Sequence, residues 1–180
     1  MADAGEWILI TYRLPADSSR ARVAVWREVR RSGALHVQPS VVAFPATDAF
    51  REAVDGFRAE VERVGGQTLS VAAQPLEDGD AQRLTGAWNE ARDEEYGELE
   101  GKCHAFLREI EHEFAIEKFT LAELEEEEAE FDKLERWCRR IAQRDLHDAS
   151  RSGAVEAVLA EAGKALERYT QAVCQRTRPS

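Results

Sequence analysis

Apolar residues change their spacing twice along the chain, and each change marks a different kind of element. Residues 7–14, WILITYRL, are apolar and β-branched and stop at Pro15, which predicts a buried strand. Ser18 and Ser19 offer helix N-caps, and a helix is expected from there to about Arg31, closed by Gly33. Two short strands follow, 34–37 and 40–44, around Gln38 and Pro39. Pro45 and Thr47 then open a second helix whose apolar stripe is Phe50, Val54, Phe57 and Val61, with Gly65 and Gly66 at its end. Residues 68–73 form a last strand.

After Pro75 the period becomes helical throughout. Leu84, Trp88, Ala91, Leu99, Cys103, Phe106, Ile110 and Phe114 fall on one face of a helix over residues 80–115. A second long helix begins at Thr120. Glu123 three residues on completes a capping box, and Phe119 and Leu124 are placed for a hydrophobic staple. Its stripe is Leu124, Phe131, Leu134, Cys138 and Ile141. Residues 150–153 interrupt the pattern, and a third helix carries Val155, Val158, Leu159, Ala162, Leu166, Tyr169 and Val173. Short connections make sequential helices antiparallel. The fold class is therefore α+β. Residues 1–75 follow the β-α-β-β-α-β order of a ferredoxin-like sandwich, and residues 76–180 form a long antiparallel three-helix bundle packed on it.

Charge sharpens this division. The net charge is −11. Residues 1–75 hold nine basic and nine acidic side chains, whereas residues 76–150 hold ten basic and 23 acidic. An acidic middle segment repels phosphate at long range, so contact with nucleic acid must come from the N-terminal unit or a local basic stripe. The run 125–128, four glutamates, suits a solvated face near a helix N-terminus. No apolar run approaches the roughly 18 residues of a membrane span, and no basic-then-apolar leader opens the chain. Cys103, Cys138 and Cys174 are far apart and lack C-x-x-C spacing, which fits reduced thiols in a cytoplasmic protein.

Few side chains break the bland pattern. Arg92 falls near the centre of the first long stripe, with Glu95 at its edge, and Asp145 lies in the stripe of the second. Folding the two helices about residues 117–118 brings position 92 level with 143–145, so Arg92 and Asp145 are expected to meet. A buried charge is tolerated when paired. Two readings stand: a register-fixing pair, or a polar pocket for a small anion built from Arg22, Arg92, Glu95, Tyr96, Arg144 and Asp145. In that pocket Arg22, Arg92 and Arg144 would hold the anion. Arg22 shares the side of Trp26 and Val29, expected to face the sheet. Arg20, Arg27 and Arg31 share another face and are candidate DNA or phosphate contacts.

Catalytic signals are missing. There is no G-x-S-x-G, no phosphate-binding glycine loop, no dinucleotide fingerprint and no H-E-x-x-H. His104 and His112, eight residues apart, make a metal site with Glu109 or Cys103 imaginable, but no Cys/His set has finger spacing. The expectation is a non-enzyme without cofactor or metal.

Several of these stretches resemble the N-terminal domain of the chromate-resistance regulators called ChrB. They are residues 7–15 (WILITYRLP), 19–27 (SRARVAVWR), Gly33-Ala34, 40–45 (SVVAFP), 91–96 (ARDEEY), 119–124 (FTLAEL) and 141–145 (IAQRD). The resemblance runs from about residue 6 to 174. It implies a cytoplasmic regulatory module linked to chromate resistance, with DNA, chromate or another oxyanion among its partners. Longer members carry a second, chromate-response domain, which this chain, ending at Ser180, is expected to lack and which a separate protein could supply. The N-terminal unit is also similar in pattern to modules of phenylacetate-type repressors and CRISPR-adaptation nucleases. Those modules often dimerise, implying a homodimer. The nucleases end their first strand in a metal-binding aspartate. Residues 11–15, TYRLP, have none, which argues against nuclease activity. A dimeric scaffold that only binds protein partners is the remaining alternative.

Overall fold

In a computed structural model, which describes residues 5–147 and 149–177, the chain combines one four-stranded antiparallel sheet with five helices. It divides into two compact units, residues 1–88 and 89–180.

The first unit holds strands β1 (Trp7–Arg13), β2 (Leu35–Gln38), β3 (Val41–Pro45) and β4 (Gln67–Ala73), in the spatial order β2-β3-β1-β4. β1 is central and pairs Ile10 with Val42 on one side and with Ser70 on the other. Helix α1 (Ser19–Ser32) starts where Ser18 Oγ accepts from Ala21 N and stops at Gly33, whose φ of 71° is left-handed. A 3-10 turn (Asp48–Phe50) precedes α2 (Arg51–Arg63), so the second helix starts later than Pro45 and Thr47 suggest. Thr47 is an N-cap in backbone only, because its side chain makes no capping bond. Phe50, Val54, Phe57 and Val61 are all buried, as their spacing requires.

The face of α1 differs from expectation. Ala21 and Val25 are buried, together with Glu28 and Ser32, whereas Trp26 is 60% exposed. The helix is turned so that its smaller side chains meet the sheet, leaving the indole and Arg22 outside. Gly66 closes the turn into β4 for a steric reason. A Cβ there would stand 2.7 Å from Arg13 O and from Val61 Cγ1.

Helix α3 (Asp78–Ala115) belongs to both units. The expected division after Pro75 follows the change of period, but Leu84, Ala87 and Trp88 pack into the sheet's core. Trp88 is fully buried, edge-on to Trp7 and to Phe50. The rest of α3 shares a second core with α4 (Leu121–Ala142) and α5 (Ser152–Thr177). Leu99, Cys103, Ile110, Ile141, Val155 and Tyr169 lie in it, each fully or almost fully buried. Phe106 meets Phe131 and Phe114 meets Phe119, so α3 and α4 run in opposite directions. Thr120 Oγ1 accepts from Glu123 N at 3.2 Å, one half of the capping box. The Glu123 carboxylate takes Lys118 Nζ at 2.7 Å instead of reaching back. No helix among the described residues is long and apolar enough to cross a membrane.

Candidate functional site

Two constellations singled out by the sequence can now be built residue by residue, one in each unit.

In the second unit, α3 carries Arg92, Glu95 and Tyr96 one turn apart, and Arg144 and Asp145 follow the end of α4. Arg92 is 2% exposed. Its Nη2 lies 2.8 Å from Glu95 Oε1, and the other oxygen of Glu95 accepts from Arg144 Nη2. One carboxylate thus bridges a guanidinium group of α3 and one from the segment that follows α4. Burial pulls the pKa of both arginines down, opposed mainly by the negative charge of Glu95. Asp145 adds its charge to the same cluster but spends its hydrogen bonds elsewhere. Tyr96 Oη donates to it at 3.3 Å, and Ala149 N donates to both its oxygens, at 2.9 and 3.2 Å. Arg92 thus has a hydrogen-bonded ion pair with Glu95, one turn away on its own helix, and feels the charge of Asp145 as well.

Asp93 completes the corner. Ser150 Oγ donates to it at 2.8 Å and Arg151 N at 2.9 Å, which fixes the entry to α5. The sequence reading did not select Asp93, since an acid off the apolar stripe of a helix carries no signal of its own. Among the described residues the cluster sets Arg92 and Arg144 against Glu95 and Asp145.

Arg22 belongs to the first unit and has partners there. Its Nη1 donates to Ala16 O and its Nη2 to Ser19 Oγ, both at 3.1 Å. The other candidate arginines of α1 do gather. Arg20 and Arg27, with Ser19, line a shallow hollow of about 490 Å³ closed by Arg63 of α2. Neither Arg20 nor Arg27 has a carboxylate partner among the described residues. Arg31 is different, because Glu28 holds it through two bonds of 2.7 and 2.9 Å. Arg63 is paired with Glu60 and was not foreseen, because it comes from another helix.

A further basic hollow of about 330 Å³ lies on α4, lined by Lys133, Arg136, Arg139 and Arg140. Their spacing of three and four residues was readable, but the acidity of the segment as a whole hid it. Lys133, Arg136 and Arg139 each face a carboxylate one turn back, Glu130, Asp132 and Glu135. Among the described residues no group of three or more His, Cys, Asp or Glu is placed to hold a metal ion.

The family model for "Protein ChrB, N-terminal" matches residues 22–180, most of the chain and both constellations except Arg20. The chain belongs to the ChrB N-terminal family. No curated protein matches it. Within the ChrB N-terminal match lie all of Arg92, Glu95, Tyr96, Arg144 and Asp145, together with Arg22, Arg27 and Arg31.

Proposed function

We propose that this chain is a non-catalytic regulatory module of the ChrB type, linked to chromate or oxyanion resistance, that meets the DNA phosphate backbone through the arginine face of α1. The observation that carries the reading is the hollow of Arg20, Arg27 and Arg63, in which two guanidinium groups have no acidic partner among the described residues. Arginines so placed recognise phosphate bidentately. On this reading Arg92, Glu95 and Arg144 are architecture, because Glu95 already occupies the place of an anion.

Other parts of the picture rest on similar support. The strand order β2-β3-β1-β4 supports a ferredoxin-like first unit, and the core shared by three helices supports an antiparallel bundle for the second. Leu69 and Val71, exposed on edge strand β4, support a homodimer formed across that apolar surface. A cytoplasmic location accords with three free cysteines.

The test is fluorescence anisotropy with a labelled duplex of about 30 base pairs at about 50 and about 200 mM salt. Binding should weaken steeply with salt, and Arg20→Ala with Arg27→Ala should weaken it at both concentrations. Unchanged binding in the double variant would remove α1 from the DNA contact.

A further inference from the structure

A second hollow of the first unit lies on a different side of α1 and has about 710 Å³. Three segments wall it: the end of β1 with the following loop, α1 itself, and the β2–β3 corner. Leu14, Val23, Trp26, Val29 and Pro39 give it an apolar body. Arg13, Arg22 and His36 give it cationic or protonatable edges. No Asp or Glu lines it, in a chain with 35 of them. Its size falls in the range of small-molecule sites, which are mostly apolar with a few polar groups that orient the ligand.

Two details show that the hollow is held in shape. Tyr12 N donates to Ser40 O at 2.9 Å, and Ser40 takes a left-handed φ of 63°, so the β2–β3 corner is pinned to β1. Arg22 is held in place by Ala16 O and Ser19 Oγ, which use two of its five N–H groups. No carboxylate neutralises Arg22 or Arg13 among the described residues. Trp26 and Val23 stand 60% and 47% exposed, a combined apolar surface whose covering would be favourable. The Arg30 guanidinium sits 5.7 Å from the Trp26 ring centre and steadies the indole.

Apolar walls select a ring system, and a cationic edge without acids selects a negative charge. We propose that this hollow binds a small aromatic carboxylate, its rings against Trp26 and Val23 and its carboxylate at Arg22. The assignment does not depend on DNA binding, since Arg20 and Arg27 do not line this hollow.

Calorimetric titration of the full chain with naphthoate, uncharged naphthamide and acetate tests it. Naphthoate should bind at least about tenfold more tightly than naphthamide, and acetate should give no heat of binding. Trp26→Ala should weaken naphthoate about tenfold, with the circular dichroism spectrum unchanged, because the side chain is exposed. Arg22→Gln should erase the preference for the anion over the amide while leaving the amide's own affinity in place. Arg20→Ala with Arg27→Ala should leave naphthoate binding as it is, whatever happens to DNA. Equal affinities for acid and amide would overturn the proposal. So would naphthoate binding that survives Trp26→Ala, or an acidic peptide that binds the hollow when naphthoate does not.

Discussion

Tyr96 donates its hydroxyl to Asp145 across 3.3 Å, joining α3 to the corner after α4. The same carboxylate receives Ala149 N, so one side chain serves both a long-range contact and the turn that leads to α5. Burial and the Asp145 charge push the phenol pKa up, and Tyr96 stays a neutral donor over the working range. Tyr96→Phe should cost about 1 kcal/mol, the worth of one hydrogen bond. Asp145→Ala should cost about 2–3 kcal/mol, because it strands both the hydroxyl and a backbone N–H. Urea denaturation of the two variants checks the ordering, and equal losses would contradict the double role.

Glu95 is the keystone of the charge cluster, since both Arg92 and Arg144 bond to it. Glu95→Gln keeps the shape and removes the charge, leaving two half-compensated guanidinium groups in the interior. The expected loss is about 3–5 kcal/mol, the range for breaking a buried ion pair from one side. Pairing Glu95→Gln with Arg92→Met should recover part of it. A loss below about 1 kcal/mol would mean that the cluster is solvated in solution.

The sequence revealed this corner incompletely for a physical reason. Helical spacing placed Arg92, Glu95 and Asp145 on facing stripes, and the turn near residues 117–118 set the register that brings Tyr96 to Asp145. Which oxygen meets which nitrogen is decided by side-chain reach of an ångström or two, and spacing carries no such information. α1 makes the same point. Its length, its Ser18 cap and its Gly33 stop were all legible. Its rotation was not, because Val25 and Trp26 are adjacent and either could face a sheet. Only packing against β1 and α2 selects the smaller residue.

Glu127 gives the second unit a measurable response to pH. It is 8% exposed, and burial together with the charges of Glu109, Glu113, Glu123 and Glu130 pushes its carboxyl up to about 7. The first two carboxylates lie on α3 and the last two on α4. An acid whose folded pKa lies above its unfolded value, here 4.5, binds its proton more tightly when folded. Its stabilising contribution is complete below pH 4.5 and is lost as the pH rises through about 7. Glu127→Gln should therefore be near neutral at low pH and stabilising by up to about 3 kcal/mol above the folded pKa. Unfolding curves of both proteins across that window supply the test. A difference that does not vary with pH would show that Glu127 titrates normally.

Cysteine reactivity should divide along the same lines as burial. Cys103 lies fully inside the helical core, and burial raises its thiol to about 11. A thiol so protonated and enclosed presents almost no thiolate to an alkylating agent. Cys138 is partly covered and its pKa is also raised by burial, whereas Cys174 is exposed on α5. A short pulse of iodoacetamide on the native chain should label Cys174 first, Cys138 slowly and Cys103 least, read by mass spectrometry of peptides. Labelling of Cys103 then requires the second unit to open, so its rate should rise with urea in step with loss of helical signal. Because Cys103 sits among Leu99, Phe106 and Ile110, variants that loosen the Glu95 cluster should also accelerate it. Rapid labelling of Cys103 in the native chain, at a rate matching Cys174, would mean that the core around α3 is open to water.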